Sequence, residues 1–338
     1  MIVRLILAAV AVAAVALWPR SRLSAVAALG AGAGSAAVAG VAVARDTLLS
    51  VAPMLAFLTA ALAVAGLAER AGLAERAAGR LAQAGGGSSG RLYGLVCATS
   101  ALLTCIVSLD GAVVLMVPLT RALSRRCAID AAPFFLGSVA VANAASLAVP
   151  EGNPTNLVVM SRLGLSPAAF LGHLFLPGLC AAVLCALVPL RRLGRARYAI
   201  VLPAAEPARL RMFVPWRIGA QMAGMLAALN GLAPALSLRS GGLPALLAVA
   251  AGTAVAAAVA NNLPVSASVA ALATAGPGAY AALIGLSVGA LATAHGSVAT
   301  LIARDLAGDV GGRRWAPLWA PTAALAVVLA TLLLWLLS

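Results

Sequence analysis

The chain has 338 residues, of which 63% are hydrophobic and only 9% charged, and its mean hydropathy is +1.05. No soluble globular domain approaches this composition, which predicts an all-α polytopic membrane protein. The net charge of +14 comes from arginine alone, in short gaps between apolar runs. We interpret these arginines as cytoplasmic loop residues rather than as a nucleic-acid-binding face, so no nucleic-acid partner is expected.

The first two apolar runs are predicted membrane spans, since about 20 helical residues cross a bilayer. They cover residues 2–18 and 23–44 and form N-terminal scaffold helices within 1–46. The second run contains Gly30, Gly32 and Gly34, which predict a close approach of two membrane helices. A third span, 47–68, opens a longer unit that extends to residue 190.

A polar gap at 69–90 is predicted to be an amphipathic interfacial helix followed by a flexible glycine-rich linker. The next apolar run, 91–123, is interrupted by polar residues around Ser108 and Asp110. Its halves are too short to span alone and both of its ends are basic. These features predict a re-entrant hairpin with Asp110 at its tip.

The run at 133–163 must contain a broken helix, because Pro150, Gly152 and Pro154 fall within five residues. Polar side chains surround the break, and the apolar run resumes after Asn156. Inside a membrane, such a break is tolerated only where it lines protein or a water-filled cavity. Broken helices of this kind bind ions and small solutes in transporters.

The same order of segments then recurs. A span at 166–190 closes the first unit, and a basic loop at 191–213 follows it. The second unit, 214–338, begins with a span at 214–236 and a hairpin at 243–275, which has Asn261 and Asn262 at its tip. A broken helix at 278–304, interrupted between Thr293 and Ser297, and a closing span at 316–337 follow.

The loop charges predict that the two units have opposite orientations. If the loop at 191–213 is cytoplasmic, all but four of the 23 arginines lie on the cytoplasmic side. The exceptions are Arg4, Arg45, Arg162 and Arg239. The first hairpin then enters from the cytoplasm and the second from outside, which is the inverted-repeat arrangement of secondary transporters.

We expect the four polar breaks to converge near the midplane and form the substrate- or ion-binding site. The candidate residues are Ser108, Asp110, Asn143, Ser146, Glu151, Gly152, Asn153, Thr155, Asn156, Asn261, Asn262, Thr293, His295, Gly296 and Ser297. Half-helix N-termini offer free N–H groups to an anion. Freed carbonyls and asparagine oxygens can coordinate a cation or the hydroxyl groups of a substrate.

Three of these candidates are ionisable. Asp110 at membrane depth is functional by default, although its carboxylate could instead cap the second half of the hairpin. Glu151 could carry a coupling proton or could lie in water at the mouth of the cavity. His295 is either a proton relay or a polar filler.

At these residues the chain resembles the ion transporter superfamily, and the arsenite permease group more than the divalent-anion/sodium symporters. The similar segments are Ser108–Pro118, Ala142–Ser146, Gly152–Asn156, Ala260–Pro264 and Gly296–Leu301. The resemblance covers about residues 45–337. It implies two re-entrant hairpins, two unwound helices, a substrate site between their tips, and a homodimer whose transport domain moves like an elevator.

These features predict a multi-pass secondary transporter of the cytoplasmic membrane. The first hypothesis is proton-coupled export of an arsenite- or antimonite-like solute, with Asp110 or Glu151 carrying the proton. The alternative is cation-coupled uptake of a small carboxylate or inorganic anion. The tips here read Ser-Leu-Asp-Gly and Asn-Asn-Leu-Pro, not the Ser-Asn-Thr of dicarboxylate symporters, and a carboxylate at a tip repels an anion.

Other classes have less support. The sequence carries no nucleophile–base motif, and its five cysteines and two histidines lack metal-ligand spacing, so neither an enzyme nor a metal or organic cofactor is predicted. The repeated breaks argue against a purely structural subunit, and a channel is a further alternative. The expected partners are the solute, a coupling H⁺ or Na⁺, the bilayer, a second copy of the chain and, for an arsenite exporter, an ATPase subunit.

Overall fold

The computed structural model describes residues 2–193, 196–201, 214–230, 242–307 and 315–338. Within these ranges the regular structure is helical, apart from one isolated bridge between Ser88 and Arg197. Six described helices are long and apolar enough to cross a membrane: Arg22–Ala39, Ala42–Arg70, Ser89–Val107, Pro167–Leu187, Leu243–Ala260 and Trp319–Leu337. The prediction of an all-α polytopic membrane protein is therefore confirmed.

The N-terminal part contains α1 (Ile2–Leu17), α2 (Arg22–Ala39) and α3 (Val41–Arg70). The predicted end of the second span, residue 44, is wrong because the helix ends at Gly40, which has φ 103°. L-residues with a side chain rarely adopt this conformation, so a glycine marks the corner. The third helix consequently begins six residues before the predicted start at residue 47.

Helix α2 packs closely against α10 (Trp216–Leu229). A Cβ added at Gly32 would lie 2.7 Å from the Gly224 carbonyl oxygen. The prediction that small residues on the second span permit close helix packing is therefore confirmed at Gly32.

The first hairpin consists of α5 (Ser89–Val107) and α6 (Leu109–Cys127), which pack against each other. An amphipathic helix, α4 (Leu73–Gly85), precedes it and ends in a tight turn. The chain reverses at Ser108, whose φ is 92°. The tip residue is thus Ser108, and the prediction that Asp110 forms the tip is wrong, because the carboxylate already belongs to the first turn of α6.

A broken helix follows the first hairpin. Its halves are α7 (Ala131–Ala145) and α8 (Pro154–Leu163), joined by an irregular segment with a short 3-10 turn at Pro150–Gly152. Helix α9 (Pro167–Leu193) then closes the first unit. The break lies where the two prolines and Gly152 predict it.

The second half repeats this order. It contains α11 (Leu243–Ala260), α12 (Asn262–Leu272), α13 (Pro277–Val288), a 3-10 turn (Gly289–Ala292), α14 (Val298–Ala307) and α15 (Trp315–Leu337). The contacts also correspond, because α7 packs on α9 as α13 packs on α15, and α6 contacts α14 as α12 contacts α8. The expectation that both halves of the first hairpin are too short to span is wrong for α5, because Ser89–Val107 is long and apolar enough to cross a membrane. The opposite membrane orientation of the two units and the re-entrant nature of the hairpins stay predictions.

Part of the predicted basic loop at 191–213 lies outside the described residues. Its first three residues belong to the end of α9, and residues 196–201 run beside the turn after α4, where Tyr198 N–H donates to the Gly87 carbonyl at 3.0 Å. The end of the predicted span at 214–236, beyond residue 230, also lies outside the description.

Two hydrophobic clusters divide the helices into two bodies. The smaller cluster is formed mainly by α1, α2, α3 and α10, which we call the scaffold body. The larger cluster joins α4 to α9 with α11 to α15, which we call the repeat body. Val114, Leu263 and three residues of α14 pack on the scaffold body, so the hairpins and the second broken helix form the boundary between the two.

Candidate functional site

Four helices of the repeat body begin around one small closed cavity, which we call the inner pocket. Its lining consists of Asp110 of α6, Asn153, Pro154 and Thr155 at the start of α8, Asn262 and Leu263 at the start of α12, Val298 of α14, and Met54 of α3. Its volume is about 10 Å³, close to the room that one water molecule needs. Residues from or directly beside each of the four predicted breaks thus line this pocket; its position at the midplane and its role as the binding site stay predictions.

The inner pocket is electrostatically suited to an anion. The first turn of a helix has unpaired N–H groups and carries roughly half a positive charge. Here the N-terminal ends of α6, α8, α12 and α14 meet at one place. Asp110 is the one acidic side chain among the described residues that line the pocket.

Asp110 does not serve as the cap of its helix. Its side chain is 2% exposed, and the Oδ1 atom is buried without a hydrogen-bond partner. The N-cap residue of α6 is Ser108, which makes no capping hydrogen bond through its side chain. Because buried polar atoms are nearly always paired, this unpaired oxygen leaves the carboxylate available to a ligand.

Four other predicted site residues also hold buried side-chain oxygens without partners. They are Ser108 Oγ, Asn143 Oδ1, Thr155 Oγ1 and Asn156 Oδ1. A cation or a hydroxyl-bearing solute can be bound by such oxygens at an unwound helix. Of these four residues, Thr155 lines the inner pocket and Ser108 lines the larger cavity described below, whereas Asn143 and Asn156 line neither.

A hydrogen-bond network holds the first break in shape. Asn156 Nδ2 donates to the carbonyls of Ser146 (2.8 Å) and Val149 (3.1 Å). Asn153 Oδ1 accepts from the Thr155 N–H at 3.0 Å and so caps α8, while Ser146 Oγ donates to the Asn143 carbonyl at 2.7 Å. Asn153 and Asn156 thus position the start of α8 at the inner pocket.

Gly152 is needed for the same packing. A Cβ at this position would meet the Ser146 backbone, so a larger residue would push α7 and α8 apart. The absence of a side chain at Gly152 therefore sets the shape of the break; its predicted role in binding stays a prediction.

The second break is joined directly to the tip of the second hairpin. Asn261 Nδ2 donates to the His295 carbonyl and Asn262 N–H donates to the Gly296 carbonyl, both at 2.7 Å. Thr293 Oγ1 donates to the Ala258 carbonyl, also at 2.7 Å. The tip and the break therefore form one unit that presents Asn262 to the pocket.

The remaining candidates of the second break have local roles. Ser297 Oγ accepts from the Thr300 N–H at 3.1 Å in the first turn of α14. The half-buried imidazole of His295 lies 3.3 Å from the Val259 carbonyl and lines neither of the cavities described here. The proposed relay role of His295 stays a prediction without support from its position.

A second, larger cavity of about 620 Å³, which we call the outer cavity, lies between the two bodies. The scaffold body contributes Pro53, Met54, Phe57 and Leu226, and the repeat body contributes Val107, Ser108, Glu151, Pro154, Leu157, Val158, Ser161, Arg162, Leu263 and Ala267. Met54, Pro154 and Leu263 also line the inner pocket and separate it from the outer cavity. Glu151 is exposed here, which agrees with an acid in the mouth of the cavity.

Several lining residues escaped the sequence analysis. Met54, Phe57 and Leu226 lie in uninterrupted apolar runs, so nothing in the sequence separates them from lipid-facing residues. Arg162 did carry a signal, because it is one of the four arginines that the positive-inside bias leaves on the outer side.

Broken helices that meet at a polar pocket, beside a cavity between two bodies, define a multi-pass membrane transport protein. The sequence profile of the CitMHS citrate transporter family matches residues 1–279. The chain therefore belongs to the citrate transporter family, within the ion transporter superfamily that the sequence motifs resemble.

Curated relatives also match parts of the chain. The inner membrane protein YbiR of Escherichia coli strain K12 is 36% identical over 84 residues, which are 25% of this chain and 23% of that protein. The 46 kDa membrane protein of Mycobacterium leprae strain TN is 34% identical over 115 residues, or 34% of this chain and 26% of that protein. The chain is thus matched to about a quarter of each relative's length, and the predicted location in the inner membrane is confirmed.

Proposed function

We propose that the protein is a secondary transporter of small carboxylate anions, with citrate as the first candidate and a cation as the coupling ion. The observation that carries this proposal is the convergence of four helix N-termini on the inner pocket. The positive dipole ends of four helices can stabilise a carboxylate without a basic side chain in the pocket. The family membership supports the same substrate class, which was the alternative in the sequence analysis.

The coupling cation follows from Asp110. A carboxylate in the pocket repels an anionic substrate unless a positive charge lies between them, and the repulsion is strong at low dielectric. We propose that Asp110 binds H⁺ or Na⁺ together with the unpaired oxygens of Thr155 and its neighbours. Neutralisation of Asp110 then permits the anion to bind, which couples the two fluxes.

The division into two bodies supports alternating access. The outer cavity lies at the boundary between α3 and α10 of the scaffold body and the tips of the repeat body. Movement of one body past the other would separate Met54 from Leu263 and open the inner pocket, which has room for little more than a water molecule in this conformation. A homodimer formed by two copies of the chain is part of the proposal.

Arsenite-like export remains the second candidate function. The small volume of the inner pocket and its buried carboxylate suit a compact neutral hydroxide better than they suit a tricarboxylate. An ATPase partner and proton antiport through Asp110 or Glu151 belong to this candidate only.

The experiment is uptake by purified protein in liposomes. Labelled citrate, succinate and arsenite are each offered with a proton gradient, a sodium gradient or neither. Cation-driven citrate or succinate uptake that is lost in Asp110→Asn is the expected result. Asp130→Asn is the matched control, because Asp130 is exposed at the N-cap of α7 and asparagine caps a helix equally well.

Arsenite flux without carboxylate flux would replace the first candidate by the second. Cation-driven carboxylate uptake that persists in Asp110→Asn would reject the role of Asp110 but keep the substrate class. No gradient-driven flux of any of the three solutes would contradict the proposed function.

A further inference from the structure

The chain places one unpaired cation at a position that the proposed transport cycle does not yet use. Four arginines are predicted on the outer side. Arg4 donates hydrogen bonds to Ser35 Oγ and to the Asn230 carbonyl. Arg45 is exposed and lines neither cavity, and Arg239 lies outside the described residues. Arg162 alone lines the outer cavity. Its exposed guanidinium makes no ion pair or side-chain hydrogen bond within the described part of the chain.

Helix α8 connects Arg162 to the inner pocket along one face. The cavity-lining residues of this helix are Pro154, Leu157, Val158, Ser161 and Arg162. Their spacing follows the helical period, so they form one stripe from the pocket outward. Nine residues separate Asn153 from Arg162, which corresponds to about 13 Å along the helix axis.

The charges along this stripe differ in sign. Arg162 is the only basic side chain and Glu151 the only acidic one among the described residues that line the outer cavity. Guanidinium binds a carboxylate through two parallel hydrogen bonds. An anion in the outer cavity therefore has one attractive side chain, Arg162, and meets it before it reaches Asp110 in the inner pocket.

We propose that Arg162, with the neighbouring Ser161, forms an outer anion subsite that captures the carboxylate substrate before it moves along α8 to the inner pocket. This inference rests on the proposed function and assigns a recognition role to a residue outside the four polar breaks. The alternative role of Arg162 is structural, because a basic residue in the last turn of α8 stabilises the helix dipole.

Transport kinetics separate the two roles. Arg162→Gln is expected to raise KM for citrate about tenfold, the effect of losing a charge-assisted contact, while kcat changes less than about twofold, because the inner pocket is intact. Arg162→Lys retains the charge without the paired geometry and should raise KM less. The rise of KM with ionic strength should also weaken in Arg162→Gln.

Arg45→Gln is the matched control, since it removes an exposed arginine from the same predicted side, away from both cavities. An unchanged KM in Arg162→Gln, or an equal rise in Arg45→Gln, would overturn the subsite. A lower melting temperature with unchanged KM would assign Arg162 to the helix dipole.

A labelling experiment tests the subsite without transport. Ser161→Cys, in a chain whose five native cysteines are replaced, is reacted with anionic and cationic methanethiosulfonate reagents. The anionic reagent should react faster relative to the cationic one, and this preference should fall when Arg162→Gln is added. If Arg162→Gln leaves the preference for the anionic reagent unchanged, the subsite is overturned even if citrate is transported. If the preference depends on Arg162 but no carboxylate is transported, only the proposed function is contradicted.

Discussion

At the scale of the residue, the site is defined by side-chain atoms that the protein leaves unsatisfied. Thr155 shows this most simply. Its backbone N–H is used in capping α8, but its buried Oγ1 has no partner, although it lines the inner pocket. Such an atom loses its hydration on folding and regains a partner only from a ligand. The hydroxyl therefore lowers the stability of the ligand-free protein and raises the stability of the ligand-bound protein.

Thr155→Val should lower the affinity for the coupling ion or the substrate by a factor of about 10 to 100, since a buried hydrogen bond to a charged ligand is worth about 1.5 to 3 kcal/mol. The valine variant has the same shape, so its melting temperature in the absence of ligand should be equal or higher. Affinity is measured by uptake at graded substrate and cation concentrations.

Thr155→Ser, which keeps the hydroxyl, is the control and should retain affinity. Wild-type affinity in the valine variant would show that the hydroxyl does not contact the ligand.

The sequence predicts where the helices break but not which side chains face the pocket. The positions of the breaks follow from Pro150, Gly152 and Pro154, since these residues end helices wherever they lie. Which side chains face the pocket depends on the turn of each half-helix. Ser108, not Asp110, reverses the chain, and two residues of difference rotate a helical side chain by more than half a turn.

At the scale of the element, the two hairpins use the same device. Ser108 and Asn261 both have positive φ and both end one arm and begin the next. The second tip is more firmly held, because the Asn261 side chain caps α12 and bonds the His295 carbonyl, whereas the Ser108 hydroxyl is unpaired. The first tip is therefore the less constrained side of the pocket.

The scaffold body depends on close packing between α2 and α10. Gly32→Ala should destabilise the protein by about 1 to 3 kcal/mol, because the added methyl group meets the Gly224 backbone and one helix must move. The melting temperature of the purified protein in detergent, followed by circular dichroism, gives the measurement.

Gly30→Ala is the control on the same helix. No atom lies within 4 Å of a Cβ at Gly30, so this change should be neutral or stabilising by about 0.5 to 1 kcal/mol. Equal melting temperatures for the two variants would contradict the packing.

The elements were largely predictable from the sequence. Apolar length indicated the spans, and the polar gap at 69–90 indicated the amphipathic helix α4, which lies within it. The corner at Gly40 was not predictable, because apolar residues continue on both sides of it and hydropathy does not register a change of direction.

At the scale of the whole molecule, the site belongs to neither body alone. Met54 of the scaffold body and Leu263 of the repeat body line both cavities. No sequence pattern pairs these residues, because the contact between an apolar span and a distant hairpin exists only in the assembled fold. The sequence thus predicted polar lining residues of the repeat body such as Asp110 and Thr155, and missed Met54 of the scaffold body and apolar residues of the repeat body such as Leu263.

A covalent link across this boundary should stop transport if the bodies move. The double variant Met54→Cys with Leu263→Cys is made in a chain without native cysteines and treated with a short bifunctional thiol reagent. We expect the cross-linked protein to lose uptake, and cleavage of the cross-link should restore it. Uptake in liposomes is measured before and after treatment.

A link inside the scaffold body, Ser24→Cys with Gln221→Cys, is the control, since these side chains are hydrogen-bonded at 2.7 Å between α2 and α10. This link should leave uptake intact. Full activity of the linked Met54–Leu263 pair would reject relative movement of the two bodies.

The unpaired oxygens of Asp110 and Thr155 in the inner pocket have a practical consequence for the search for the physiological solute. A ligand that supplies their missing partners binds only the folded protein, so by mass action it shifts the unfolding equilibrium by about 2.7 kcal/mol at a hundred times its dissociation constant. A library of carboxylates, oxyanions and cations can therefore be ranked by how far each delays heat denaturation, without assuming a direction of flux. In the proposed coupling the cation and the anion each complete the site for the other, so the correct pair should protect more than the sum of its members.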